Sequence, residues 1–350
     1  MSSLSVIKVL LLSTLSFVTA ILWTPLLTHV LFRYRLGKQI RTAASAPIFS
    51  KMHQAKSGTP TMGGVLVWGT TLALLLTFHE ANLLFGGAFF SSMDFLSRQQ
   101  TLLPLGALVA SALVGLVDDY WNVRRIGPKG GGLRMRHRLL LYTFIAAVGA
   151  WWFYGKLDWD LFRIPFVGSY NIGLWYIPVF ILVIVATSFS VNETDGLDGL
   201  AGGVLLSSFG AYAAIAFLQG KTDLAAFCGV ICGALLAFLW FNINPARFFM
   251  GDTGAMSLGV TLGIVAMLTN TALLLPIIGL VFVLESLSVI VQVGSKKLRG
   301  KKVFLSAPVH HHFEAVGWPE PKIVMRFWII ASVSSVMGLV LALIDAGYFN

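Results

Sequence analysis

Long apolar stretches recur along the whole chain, and they constrain its fold more than any other feature. They run to about 17 to 25 residues or more, enough to cross a hydrocarbon core of about 30 Å as a helix. Only 11% of the residues are charged, less than half of the roughly one quarter that is typical of soluble domains. The sequence therefore predicts a single integral-membrane domain over residues 1–350 and leaves no segment for a sizeable soluble domain.

Hydropathy predicts an all-α polytopic membrane protein with about ten transmembrane helices. The apolar pattern of the first stretch continues past a loosely signal-like segment at 17–20, so we interpret it as an uncleaved spanning helix. The predicted spans are 6–32, 61–80, 101–119, 139–156, 174–191, 200–218, 224–241, 255–270, 272–294 and 325–345.

The distribution of Lys and Arg predicts the orientation of these spans. Most of the 25 basic residues lie in the loops that follow the first, third, seventh and ninth spans. By the positive-inside rule those loops are cytoplasmic, and both termini lie on the periplasmic side. The net charge of +10 does not indicate nucleic acid, because the basic residues flank spans and form no single stripe. Contact with anionic membrane lipid and attraction of a polyanionic substrate are the expected roles.

Five polar clusters fall on five connections of the predicted cytoplasmic side. In a chain with so few charged residues, such clustering suggests a function. The simplest explanation is one composite site at that membrane surface. The clusters are HQAKSGTPTMGG at 53–64, DDY at 118–120, SVNETDGLDGLAGG at 190–203, NINPARFFMGDTG at 242–254 and APVHHHFE at 307–314.

The aspartates of these clusters indicate a magnesium site that handles phosphates. Mg²⁺ takes oxygen ligands, keeps several waters and bridges substrate phosphates, which suits carboxylates that lie beside many basic residues. Asp118 and Asp119 end an apolar span, so we expect them near the lipid interface, where they can meet a charged headgroup. Asp195 and Asp198 are flanked by glycines that permit close approach of a ligand, and Asp252 is the fifth candidate.

Three consecutive histidines, His310, His311 and His312, form the last cluster. Adjacent side chains diverge on a helix or a strand, so all three cannot converge on one Zn²⁺. Hydrogen bonding to a phosphate or pyrophosphate is favoured, and metal ligation by one ring or a structural role stays open. Transport would instead place ionisable groups at mid-membrane depth, where we find only Glu285. An intramembrane aspartyl protease would also need its acid pair within the spans.

Taken together and in this order, the five motifs resemble those of the phospho-N-acetylmuramoyl-pentapeptide transferases, the translocase I enzymes of bacterial peptidoglycan synthesis. The resemblance covers about residues 25–328. It implies transfer of phospho-MurNAc-pentapeptide from UDP-MurNAc-pentapeptide to undecaprenyl phosphate, giving lipid I and UMP. It also implies a Mg²⁺ cofactor, a homodimer and a place in the bacterial cytoplasmic (inner) membrane. A sibling transferase that loads GlcNAc-1-phosphate from UDP-GlcNAc onto a polyprenyl phosphate is the alternative.

The resemblance also implies roles for individual residues. Asp252 would bind Mg²⁺, and Asp118, with Asp119 beside it, would contact or deprotonate the lipid phosphate. Attack by the lipid phosphate itself and attack by an aspartate, through a covalent intermediate, both stay open; direct attack is simpler. Asn192, Asp195 and Asp198 would line the nucleotide-sugar pocket, Phe249 would stack on uracil, and Lys56, Thr61, Asn242, Gln292, His310, His311 and His312 would assist with phosphates and substrate.

Glu193 departs from the family pattern, which usually has an apolar residue, commonly Leu, at this position. Our hypothesis is that its carboxylate points away from the metal, toward water or a basic loop.

Overall fold

The computed structural model describes residues 3–37, 56–127 and 131–347, and residues 53–55 of the first polar cluster lie outside these ranges. The described chain is mainly helical, with one β-hairpin. Its helices and strands are α1 Ser3–Arg33, α2 Val65–Phe85, α3 Gly87–Met93, α4 Leu102–Val123, α5 Met135–Lys156, β1 Leu161–Ile164, β2 Gly168–Asn171, α6 Tyr176–Thr194, α7 Leu200–Leu218, α8 Thr222–Asn242, α9 Gly251–Leu268, α10 Leu275–Ile278, α11 Leu280–Arg299, α12 Val309–Ala315 and α13 Glu320–Asp345.

Each of the ten predicted spans lies over one of these helices or a consecutive pair. Seven helices of the described chain are long and apolar enough to cross a membrane, and a bent pair makes an eighth. Helices α2 and α5 are of similar length but are not among them. Their sequences explain this, because α2 contains His79 and Glu80, and α5 begins with several basic residues. The polytopic helical architecture is confirmed, whereas the count of ten stays a prediction.

The ninth predicted span is not one continuous helix. Its first part is a 3₁₀ turn followed by the short helix α10, and α11 then leaves at an angle of 85°. The break lies at Gly279, whose backbone N–H donates to the carbonyl of Leu275 at 2.7 Å and closes the short helix. Apolar residues continue across the break, so hydropathy alone gave a straight span here and was wrong.

A short antiparallel hairpin interrupts the predicted all-helical chain between α5 and α6. Its register pairs Leu161 with Asn171 and Ile164 with Gly168. The Arg163 side chain ties the hairpin to the end of α13 through an ion pair with Asp345, 2.5 Å between Nε and Oδ2. Strands of four residues are too short to give a clear alternating pattern, which is why the sequence did not indicate them.

Helix α9 is the buried axis of the fold, packed against α4 and α6. Small residues allow the close approach, as in other membrane helix pairs. A Cβ atom at Gly115 of α4 would overlap the backbone carbonyl of Asp252, and one at Gly259 would press on the backbone of Ser188 in α6. This packing brings the aspartates of α4 and α9 to the same end of the helix bundle.

Candidate active site

Arg138, in the first turns of α5, lies at the centre of the acidic end of the bundle. Its Nε lies 2.7 Å from Oδ2 of Asp118, and its two terminal nitrogens donate to the two carboxylate oxygens of Asp252 at 3.0 and 2.8 Å. The amide of Asn192 joins the same group, since its Nδ2 donates to Asp252 at 2.7 Å and its oxygen accepts from Arg138 at 3.2 Å. Side chains from α4, α5, α6 and α9 therefore meet at one point.

Asp119 belongs to a second layer of the same site. One carboxylate oxygen accepts from the Thr61 hydroxyl at 3.2 Å, and the other accepts from the backbone N–H of Thr253 at 3.0 Å. The Thr253 N–H is one of the free donors at the start of α9, so Asp119 caps the helix that carries Asp252. Gly251 adopts φ +73° at this start, and a Cβ there would overlap both Asp119 and Thr61.

Burial corrects the expected environment of the aspartate pair. Asp118 is 0% exposed and Asp119 is 3% exposed, whereas we expected them near the lipid interface, open to a headgroup. They are turned into the protein because α9 packs over the end of α4. Burial of carboxylates requires charge partners and hydrogen bonds, which Arg138 and Thr61 supply.

The acidic centre contains two carboxylates of the kind that bind magnesium together with a substrate. Among the residues that the structure describes, no three His, Cys, Asp or Glu side chains converge as a preformed metal site. Mg²⁺ is commonly bound through one or two carboxylates plus phosphate oxygens and water, so such a cage is not required. Asp252 and Asp118, which face each other across Arg138, provide that type of donor set.

Lys56 forms the second charged cluster, with Asp198 and Glu320. Its ammonium lies 2.6 Å from a carboxylate oxygen of each acid. Glu320 also accepts from the backbone N–H of Asp198 at 2.6 Å, and Asn244 donates to both acids. The ring of Phe249 lies 5.9 Å from the Lys56 ammonium, so the predicted uracil-stacking residue is at the edge of this cluster.

The histidine helix α12 packs beside the loop that contains Asp195 and Asp198. His310 and Glu285 of α11 form a buried pair, 2.9 Å between Nδ1 and Oε2, and both side chains are fully buried. Burial of the ring opposes its charged form, but the charge and hydrogen bond of Glu285 outweigh this and raise the pKa of His310. In the described chain His310 Nε2 has no hydrogen-bond partner. It lies against Gly196, where an added Cβ would overlap it.

The sequence indicated that the three histidines do not converge, and the structure agrees. His311 pairs with Glu314 at 2.6 Å, and Nδ1 of His312 accepts from the backbone N–H of Leu305 at 3.3 Å. Glu193, the departure from the family pattern, is half-buried, and its charge is among those that raise the pKa of His310.

Two further predicted residues make structural contacts within loops. The amide oxygen of Gln292 accepts from the backbone of Val303 and Phe304 at 3.0 Å each. The side chain of Asn242 accepts from the Gly199 N–H at 2.9 Å and donates to the Phe248 carbonyl at 2.8 Å. Their predicted contact with substrate stays a prediction.

Sequence reasoning missed Arg138, Glu320 and Asn244 as site residues. Arg138 is one of three basic residues at alternate positions from 134 to 138, and the sequence gives no sign of which one turns inward. Glu320 lies at the start of α13, outside every motif that we recognised. Only the three-dimensional pairing with Asp118, Asp252 and Lys56 distinguishes these residues.

An apolar groove lies at the bend between α10 and α11, against α6. It has a volume of about 180 Å³ and is lined by α6, Pro276, Gly279 and Phe282 among others. Ser190 lies at the groove two residues before Asn192, and it accepts a hydrogen bond from Ser286 at 2.7 Å.

Comparisons with known proteins relate this chain to one enzyme family. The family model for glycosyl transferase family 4 matches residues 101–270, and phospho-N-acetylmuramoyl-pentapeptide-transferase signature 1 matches residues 56–66. The phospho-N-acetylmuramoyl-pentapeptide-transferase of Chloroflexus aggregans is 40% identical over 350 residues, which covers 96% of this chain and 90% of that protein. Those of Clostridium novyi and a Geobacillus species are 35% and 38% identical, over 96% and 93% of this chain and 97% and 95% of theirs. The matched segments contain Lys56, Asp118, Arg138, Asn192 and Asp252.

Proposed function

Because this chain belongs to the phospho-N-acetylmuramoyl-pentapeptide-transferase family, we propose that it makes lipid I. It transfers phospho-MurNAc-pentapeptide from UDP-MurNAc-pentapeptide to undecaprenyl phosphate and releases UMP. The observation that carries this proposal is the convergence of Asp118, Arg138, Asn192 and Asp252 at one end of the bundle. Such a centre suits phosphoryl transfer, in which positioning and charge neutralisation supply most of the catalysis.

The transfer itself needs no covalent enzyme intermediate. An oxygen of the lipid phosphate forms a bond to the phosphorus that carries MurNAc, and the bond from that phosphorus to UMP breaks, with its electron pair on UMP. A phosphate monoester is already ionised near neutral pH, so no strong base is needed. Release of UMP in the absence of undecaprenyl phosphate would instead indicate a covalent step.

Asp252, with Asp118 opposite, would hold Mg²⁺. When bound, the ion neutralises charge on the pyrophosphate oxygens. Arg138 keeps the two carboxylates in place, and its positive charge would attract a phosphate to the same point. Asn192 fixes the orientation of Asp252 through its amide.

The nucleotide end of the donor lies at the Lys56 cluster in this proposal. Phe249 offers an aromatic face for uracil, and the ammonium of Lys56 beside it is available to a phosphate. Asp198 and Glu320 hold that ammonium in position at 2.6 Å. Asp195, His311 and His312 surround the sugar and peptide portion.

The polyprenyl chain of the acceptor lies in the apolar groove between α6 and the α10–α11 bend. The groove is lined by α6 as far as Ser190, one turn before the end of the helix that carries Asn192. Its apolar lining suits an isoprenoid tail, whose phosphate would then reach Asp118 and Arg138.

The proposed location and the proposed assembly have different grounds. Basic residues stand at the ends of α1, α4 and α11, which supports a position of the site on the cytoplasmic face of the bacterial inner membrane, with both termini periplasmic. A homodimer is proposed from the family resemblance alone.

UMP release by the purified protein in detergent tests the reaction. Mg²⁺ and undecaprenyl phosphate are supplied with either UDP-MurNAc-pentapeptide or UDP-GlcNAc. We expect release with the first donor only, loss of release with EDTA, and at least about a hundredfold loss in Asp252→Ala. Asp158→Asn, an exposed carboxylate on the opposite side, is the matched control and keeps full activity. Release with UDP-GlcNAc alone would overturn the substrate, and release unaffected by EDTA would overturn the magnesium assignment.

A further inference from the structure

A second concave site lies away from the acidic centre, where the end of α1 meets the loop after α8. It is a cavity of about 370 Å³, and its lining includes Pro25, His29, Phe32, Arg33, Phe241 and Arg247. The acidic centre is built from α4, α5, α6 and α9, so the two sites share no residue.

The basic groups of this cavity have no counter-charge in the described chain. Arg138 and Arg163 each pair with carboxylates, whereas Arg33 and Arg247 form no ion pair with any described residue. The Arg247 guanidinium instead lies 6.0 Å from the centre of the Phe241 ring. Two guanidinium groups that pair with no described carboxylate and line one cavity favour an anion, and phosphate is the anion whose geometry they match best.

The inner wall of the cavity is apolar despite its threonines. Thr24 donates its hydroxyl hydrogen to the Ala20 carbonyl at 2.7 Å, and Thr28 donates to its own helix at 2.9 Å. Both hydroxyl groups are therefore turned back to the helix. Together with Pro25 and the two phenylalanine rings they leave a mainly hydrocarbon surface below a cationic rim.

The cavity continues a lipid-facing stripe of α1. Leu22, Leu26, His29 and Arg33 follow one another at helical spacings of three and four residues, which places them on one face. Leu22 is 74% exposed and Leu26 65% exposed, as expected for side chains that face acyl chains. The stripe changes from hydrocarbon to cationic at the end of the helix, where the headgroups of a bilayer lie.

We propose that this cavity binds one anionic glycerophospholipid. The phosphodiester lies between Arg33 and Arg247, the glycerol portion fills the cavity against Phe32 and Phe241, and an acyl chain follows Leu22 and Leu26. The lipid would thereby join the end of α1 to the loop that carries Arg247, two residues before Phe249.

Binding of phosphatidylglycerol to the purified full-length protein in detergent, measured by native mass spectrometry and by the rise in melting temperature, tests the proposal. We expect saturable binding to the wild type. In the double variant Arg33→Gln/Arg247→Gln, binding should weaken by about tenfold or more, because each substitution removes a charge-assisted contact. The matched control is Arg124→Gln. Arg124 also carries an exposed guanidinium beside an aromatic ring, 5.5 Å from the centre of Tyr120, but it does not line the cavity. This variant should bind like the wild type.

Three results would contradict the proposal. Equal binding of phosphatidylglycerol by the double variant would mean that the two arginines form no site. Equal binding of phosphatidylcholine would mean that the headgroup charge is irrelevant. An equal rise in melting temperature with inorganic phosphate would assign the cavity to a soluble anion. If the double variant fails to elute as a monodisperse species, the two single variants decide the outcome by the same criteria.

Discussion

Arg138 is the residue on which the arrangement of the acidic centre most depends. It contacts Asp118, Asp252 and Asn192 at once. Loss of one member of a buried charge cluster leaves the others unpaired, which is more costly than loss of the attraction alone. Sequence reasoning identified the three residues that Arg138 contacts, but it used Arg138 only as evidence for the orientation of the spans. A basic residue at the end of a span is already explained by the positive-inside rule.

We predict that Arg138→Gln lowers kcat for UMP release by about a hundred- to a thousandfold, the usual effect of removing one preorganised donor from a charge-stabilising site. Arg138→Lys should retain more activity, since it keeps the charge without the planar fork. Steady-state kinetics at saturating donor measures both. The neighbouring Arg136→Gln is the control, and an equal loss there would indicate a general effect of charge on α5.

The pair of His310 and Glu285 gives a prediction about pH. The pKa of His310 is raised in the folded protein, so the pair stabilises the fold fully below the unfolded pKa of about 6.5 and loses this contribution as pH rises through the folded pKa. Glu285→Gln should therefore lower the free energy of unfolding most near pH 6, by about 1.5–3 kcal/mol, and least near pH 9. Melting temperatures of the variant and the wild type, measured across this pH range, test this. A melting-temperature difference that is constant over this range would show that the ring is not charged in the fold. Glu80→Gln, on an exposed part of α2, serves as the control.

The helices themselves were largely predictable from sequence, and the way they pack was not. Spans read from hydropathy coincide with α4, α7 and α8 to within a few residues at most. The bend at Gly279 was missed because hydropathy reports how apolar a segment is and not the direction of its helix axis. The close contact between α4 and α9 could not be predicted either. It depends on Gly115, and a glycine in a spanning helix does not by itself indicate a helix contact.

The contact of α4 with α9 predicts different outcomes for two glycines of one helix. A Cβ at Gly115 would overlap the backbone of Asp252, whereas nothing lies within 4 Å of a Cβ at Gly106. Gly115→Ala should displace the start of α9 and reduce UMP release at least about tenfold, because misplacement by about 1 Å is enough for such a loss. Gly106→Ala should leave activity unchanged. Parallel assays with melting curves check this, and equal activities would show that α4 and α9 separate without affecting the site.

Convergence of the polar clusters was the correct long-range inference from sequence. Motifs separated by more than a hundred residues, such as those of Asp118 and Asp252, meet because every second loop of a spanning bundle returns to the same side. This reasoning gave the list of candidate residues, and one of them, Gln292, also hydrogen-bonds to a loop backbone. Which polar residue faces a ligand and which faces the backbone depends on side-chain contacts, and a motif does not encode them.

Because successive loops of a spanning bundle lie on alternate sides, the orientation of one loop fixes the orientation of the whole bundle in the membrane. Lys156 at the end of α5 and Arg124 at the end of α4 lie on opposite sides of the bundle. If basic loops are cytoplasmic, a cysteine at position 156 should react with a membrane-impermeant maleimide in intact spheroplasts. A cysteine at position 124 should react only after the membrane is permeabilised. Cys228 and Cys232 lie within α8, where Cys228 is buried and Cys232 is partly buried, so they should give little background labelling. Labelling at 124 in intact spheroplasts would invert the topology and place the acidic centre outside the cell, where neither the nucleotide donor nor its UMP product could be exchanged with the cytoplasm.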